Sequence, residues 1–175
     1  LSFLIGANPR YEATILNVRI RKSYLNNNTK IYSSNENGDL TYPYENFNGD
    51  TQTLLDIFEG KHDFSENIIK SMKPIIIIGE SFLRLDSAEF LYNKILNFLD
   101  QNNKFLDDWN PLNILSCDAS SVGNFDLGII NKEKNLLTDL KSNKFEIIYL
   151  VGQDNIDFDK KDEFVIYQGS HGDKG

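Results

Sequence analysis

Cysteine is nearly missing from this 175-residue sequence, where Cys117 stands alone. No intrachain disulfide can form, which points to a reducing compartment, and the four thiolates of an iron–sulfur cluster cannot come from this chain. Histidine is almost as scarce. His62 and His171 have no cysteine or second histidine at ligand spacing, so a zinc site has no donor set. A basic excess is lacking too: 18 Lys and Arg against 26 Asp and Glu give a net charge of −8, which argues against nucleic acid or anionic lipid as the main partner. No apolar run approaches the roughly 20 residues of a membrane span. The longest, such as Ile75–Ile78, are strand-sized, and we expect no direct membrane insertion. Arginine is rare while Asn and Ile abound, the bias of an AT-rich coding sequence, so some Asn and Lys carry no physical message. The sequence also opens without Met, inside an apolar strand, and is expected to have no signal peptide and to be an excised piece of a longer polypeptide.

What is present reads as one soluble core. With 40% apolar, 12% aromatic and 25% charged residues, the composition fits a single globular domain over residues 1–175. Short apolar runs alternate with helical periods. Ser2–Ile5, Lys30–Ser33, Ile75–Ile78, Leu112–Leu115, Ile147–Val151 and Phe164–Tyr167 read as strands. Helices are expected over Ala13–Leu25, with Leu16, Ile20 and Tyr24 on one stripe, and over Thr51–Glu59, Phe64–Met72, Asp86–Asp100 and Leu136–Ser142. On the Asp86–Asp100 helix the apolar face comprises Phe90, Leu91, Ile95 and Phe98. The polar, turn-rich stretch Asn35–Asp50 is expected to be irregular and to lie on the surface. Strands separated by helices imply parallel pairing through crossovers, hence a three-layer, doubly wound, Rossmann-like α/β domain. Its mostly parallel sheet is expected to contain Ser2–Ile5, Ile75–Ile78, Ile147–Val151 and Phe164–Tyr167, with helices on both faces.

In such a sheet ligands bind beyond the carboxyl ends of the strands. The candidates there are Gly6, Asn8 and Arg10 in "GANPR", and Gly79 in "IIIIGES". Asn8 is placed to N-cap a helix with Pro9 at its first position, and Arg10 to assist a phosphate. Yet a dinucleotide fingerprint needs three glycines, and after Gly6 the second and third are absent; Pro9 also lacks the N–H a phosphate would use. The bland reading is that each glycine only lets a strand end. "GSHGDKG" matches neither a dinucleotide loop nor a P-loop, and His171 with Asp173 lacks a placed nucleophile. Ser81, Ser116 and Ser120 lack the nucleophile-elbow pattern. Arg10, Arg19, Arg21 and Lys22 read either as a patch for phosphate or an acidic partner, or, for the last three, as cations near a helix C-terminus. Trp109 reads as an interface anchor or a half-buried ring at a loop.

"LIGANPRYEATILNVRIRKSYLNN", "DLTYPYENFNGDTQTLLDIFEGKHDF", "KPIIIIGES", "LNILSCDASSVGNFDLG" and "IYQGSHGDKG" together resemble, in collinear order, the large iron–sulfur (G) subunit of respiratory complex I. A bare G-x-N-P indicates only the wider molybdopterin oxidoreductase superfamily; the longer pattern through "NVRIRK" is specific. The resemblance implies that the molybdopterin-oxidoreductase fold persists here without pterin or metal. The turn at Gly6, Asn8, Arg10 and Gly79 would then be the vestige of a pocket. It implies no cofactor in this fragment, since the parent subunit's 2Fe-2S and 4Fe-4S clusters are held by an N-terminal region absent here. It also implies a structural and assembly role in NADH:quinone oxidoreductase, beside other subunits of the hydrophilic arm including the flavin-bearing one. The place implied is peripheral, on the cytoplasmic face of a bacterial inner membrane or the matrix side of the mitochondrial one. The alternative is a cofactor-binding domain of an active molybdopterin oxidoreductase of the formate-dehydrogenase kind.

Overall fold

The run Ser2–Ile5 pairs with the run Ile75–Ile78, and the larger sheet is built outward from that pair. The computed structural model of the chain describes residues 1–117, 120–129, 136–142, 144–153, 156 and 162–170. In it β1 (Ser2–Ile5), β2 (Ile31–Ser33), β3 (Glu45–Asn46), β4 (Ile75–Ile78) and β5 (Leu112–Ile114) form a sheet of order β3-β2-β1-β4-β5. Every pairing in it is parallel. Six helices accompany it: α1 (Pro9–Glu12), α2 (Thr14–Asn27), α3 (Thr51–Phe58), α4 (Phe64–Lys70), α5 (Glu80–Leu83) and α6 (Ala88–Gln101).

β1 and β4 are apolar nearly throughout because both faces are covered. Phe3, Ile5, Ile76 and Ile78 point to one face, where Leu54, Ile57 and Phe58 of α3, Phe64 and Ile68 of α4, and Leu91, Ile95, Phe98 and Leu99 of α6 close over them. Leu4 and Ile77 point to the other, against Ile20 of α2 with Leu16 and Tyr24 beside it. This is the expected three-layer α/β architecture.

The details depart from expectation in five places. The first helix is broken at Ala13 into α1 and α2, and α2 runs on to Asn27, where Asn28 adopts a left-handed φ of 50°. Arg19, Arg21 and Lys22 therefore lie within the helix, and its last turn holds no basic residue, so helix-end electrostatics do not explain them. The stretch 35–50 is irregular apart from β3, but it is not confined to the surface. Leu40 is fully buried and Tyr42 nearly so, because among the described residues α2 is the helix packed on this sheet face and these side chains complete the layer. Phe90 is exposed; the inner stripe of α6 starts at Leu91 and leaves it one step outside. Finally, β6 (Ile147–Val151) and β7 (Phe164–Gln168) do form and are parallel, but as a separate two-stranded sheet. Their side chains alternate between exposed and more covered positions, so a continuous apolar run there does not mean burial on both faces.

The chain packs as two compact units, Leu1–Ser121 and Val122–Gly175. The second holds β6, β7, α8 (Leu136–Lys141) and most of α7 (Ser121–Asp126). Trp109 is half-buried, its indole N–H donating to the Pro74 carbonyl at 3.0 Å, the loop-ring alternative of the two readings. Among the described residues no helix is long and apolar enough to cross a membrane. The "HGDKG" end, with His171 and Asp173, lies outside the described residues.

Two outcomes follow for stability. Ile76, fully buried between β1 and β5, should cost about 2–5 kcal/mol as Ile76→Ala, whereas the half-exposed Ile114→Ala should cost less than about 1 kcal/mol, both read by urea unfolding. The Glu59 carboxylate accepts from Lys61 and from Lys94 of α6 at 2.7 Å each, and those bonds lower its pKa from the usual 4.5 to about 2. Its contribution should be complete above the unfolded value and be lost as pH falls toward 2, and Glu59→Gln should flatten that part of the stability curve.

Candidate functional site

The order β3-β2-β1-β4-β5 reverses direction between β1 and β4, so the crevice where a doubly wound sheet holds its ligand lies beyond Ile5 and Ile78. The residues that follow are Gly6 and Gly79, two of the four expected site residues. They do not line an open crevice; they meet. A Cβ on Gly79 would lie 2.1 Å from the Gly6 carbonyl oxygen and 2.7 Å from Ala7 Cα. A Cβ on Gly6, whose φ is +60°, would lie 2.7 Å from both the Phe82 nitrogen and Ser81 Oγ. The glycines allow two strand ends to touch each other rather than a pyrophosphate.

The hydrogen-bonding groups of the turn are engaged accordingly. Gly6 N–H points between Asn35 Oδ1 at 3.1 Å and Ser34 Oγ at 3.2 Å. Its carbonyl accepts from Ser81 Oγ at 2.5 Å. The next carbonyl, of Ala7, accepts from Asn37 Nδ2 at 3.1 Å, and Asn37 is itself buried. "GES" after β4 thus has three tasks: Gly79 approaches Gly6, Ser81 ties the turn after β1, and Glu80 accepts from the Cys117 N–H beyond β5 at 2.8 Å.

Asn8 and Arg10 are turned toward the segment that follows β2. Asn8 precedes α1 but makes no side-chain cap; its Nδ2 donates to the Asn37 carbonyl at 3.2 Å, while its Oδ1 is buried with no partner. The expected N-cap bond is absent: Nδ2 is held by the Asn37 carbonyl, and Oδ1 accepts from no helix N–H. Arg10 pairs with Asp39 at 2.7 Å and also reaches the Asp39 carbonyl. The Thr41 N–H, and then the Arg10 guanidinium, hold the Asp39 carboxyl below the usual carboxylate range. Arg10 anchors a loop of its own chain instead of standing ready for an anion.

Asn17 completes the arrangement from within α2. Buried, it donates to the Leu40 carbonyl at 3.0 Å and accepts from the Tyr42 hydroxyl at 2.7 Å; burial raises the Tyr42 pKa and keeps that hydroxyl a donor. The space left at the strand ends, between Gly6, Ser34, Asn35, Ser81 and Phe82, is about 130 Å³. Ligand pockets run to roughly 300–1,000 Å³. Sequence reasoning found Gly6, Asn8, Arg10 and Gly79, weighed Ser81 only as a nucleophile, and missed Ser34, Asn35 and Asn37. The signal was the run "SSNEN" directly after a strand, passed over because Asn is common throughout. Among the described residues no three His, Cys, Asp or Glu side chains are grouped to hold a metal.

If the two glycines are there for contact, Gly79→Ala should destabilise the chain by about 1–3 kcal/mol through overpacking. Ser81→Ala should cost about 1 kcal/mol by releasing the Gly6 carbonyl. Thermal melts of the two variants against the parent chain check both.

Comparison with known proteins gives this arrangement its relatives. A 75 kDa subunit of NADH-ubiquinone oxidoreductase from Reclinomonas americana is 42% identical over 178 residues, spanning 100% of this chain and 26% of that protein. The iron-sulfur protein 1 of mitochondrial NADH dehydrogenase from Solanum tuberosum is 36% identical over 174 residues, 98% of this chain and 23% of that protein. The G subunit of the NADH-quinone oxidoreductase of Rickettsia bellii is 35% identical over 176 residues, 100% and 25% of the two. These are relatives of the kind the quoted motifs resemble, and the chain spans about a quarter of their length. The model of the family described as molybdopterin oxidoreductase matches residues 1–175 in full, and to that family the chain belongs.

Proposed function

We propose that this chain is a scaffold segment of the G subunit of an NADH:quinone oxidoreductase, working by packing and assembly and not by holding a redox centre. The parent complex passes electrons from NADH through flavin and iron–sulfur clusters to quinone and couples this to proton translocation. The chain sits in its hydrophilic arm among neighbouring subunits, the flavin-bearing one included. Its location is then the cytoplasmic or matrix face of the membrane.

One observation carries the reading. The Gly6 N–H, the donor a phosphate at this turn would use, is bonded to side chains of the chain itself, Asn35 and Ser34, and the Gly6 carbonyl accepts from Ser81. The pterin dinucleotide of the wider family does not fit the residues present. Gly79 fills the approach, the remaining space is small, and Arg10 is taken by Asp39. Nor does an iron–sulfur cluster fit, since Cys117 is the only thiol.

The purified chain, made with iron and molybdenum in excess, should contain neither metal in stoichiometric amount and should not oxidise NADH. In the parent complex, Asn8→Ala and Arg10→Ala should leave turnover per assembled complex within about twofold of normal, a barrier change below about 0.5 kcal/mol, while lowering the amount assembled. Stoichiometric molybdenum or pterin on the chain, or a large loss of turnover in fully assembled complex, would overturn the proposal in favour of a working molybdopterin site.

A further inference from the structure

α2 carries apolar residues on two sides. Leu16, Ile20 and Tyr24 face the core, while Ile15, Val18 and Leu25 form a second stripe at helical spacing that is exposed by 76%, 62% and 63%. Scattered exposed apolar residues need no explanation, but a stripe along one helix does.

The charges around the stripe are all of one sign. Arg19 and Arg21 fall on its two flanks and Lys22 falls within it, and α2 contains no acidic residue. In a chain of net charge −8, and among the described residues, these three make no ion pair, as Lys30, Lys104 and Lys141 make none, while Arg10, Lys61, Lys70, Lys73, Arg84, Lys94 and Lys144 do. Like charges three apart on a helix repel. The arrangement is therefore complementary to something outside it.

We propose that the outward face of α2, the stripe Ile15, Val18 and Leu25 with Arg19, Arg21 and Lys22, docks an acidic amphipathic helix of a neighbouring protein. This deepens the assembly role proposed above and rests on it. The spacing of the apolar positions matches a helix laid along a helix. A second copy of this chain is disfavoured, because a twofold contact through α2 sets cations against cations. An anionic membrane is disfavoured by the net negative charge of the chain.

The test is photo-crosslinking in the native assembly from benzoylphenylalanine at Val18, an exposed position, with sequencing of the captured peptide. The expected adduct is one amphipathic, net negative segment of another protein. Arg21→Glu with Lys22→Glu should lower its yield at least tenfold without changing the thermal melt of the chain, and reversing the acidic residues of the captured segment should restore it. An adduct within this chain, with a second copy of it, with lipid, or with a neutral or basic segment would overturn the proposal. So would the absence of any adduct while the chain still purifies with its assembly, a result that leaves the assembly role standing. If the chain purifies with no assembly at all, the assembly role fails and the docking surface with it.

Discussion

The contact between Gly6 and Gly79 is what the rest of the site depends on. Two central strands end side by side, and with no side chain at either end the backbones close to van der Waals distance. That closure brings Ser81 within reach of the Gly6 carbonyl and leaves its N–H facing the end of β2. A crevice that the strand order would open is thereby turned into a seam between two turns. The same topology that makes a binding site in one protein makes a packed joint in another, and the difference rests on which partners the strand-end amides find.

The seam is polar, and its polarity is nearly all used. Asn35, Asn37, Ser33 and Ser34 take the turn's donors and acceptors in a short network, and Asn17 does the same one layer up for Leu40 and Tyr42. Satisfied networks of this kind fix one arrangement among many apolar ones. Here they fix the position of an irregular segment whose Leu40 is fully buried. Relatives of the NADH dehydrogenase kind match the chain across this entire region.

Much of this was legible in the sequence. The β-branched run Ile75–Ile78 and the apolar opening Ser2–Ile5 announced a sheet covered on both faces, and the stripe Leu16, Ile20 and Tyr24 announced the helix over it. Misreadings arose where a local pattern has two tertiary outcomes. Ile147–Val151 looks like a central strand, yet lies in a two-stranded sheet, because periodicity records apolar content and not what covers it. At the site, Gly6, Asn8, Arg10 and Gly79 were visible as residue types, but their partners were not. Asn35 and Asp39 become meaningful only when the chain returns to β1 some thirty residues later, a distance over which spacing carries no information.

The β1–β4 pairing also orders the birth of the sheet. Of its five strands β1 is synthesised first, and it acquires a neighbour as soon as β2 and the intervening α2 exist, through contacts of modest sequence separation. Its other edge must wait until β4 has been made, and until then the apolar edge of Ser2–Ile5 has no strand of this sheet to pair with. Long-range parallel pairing is slow and leaves such edges open to foreign strands. Between the appearance of β2 and that of β4, β1 therefore keeps one open edge, the stage of synthesis at which the sheet is least protected against a foreign strand.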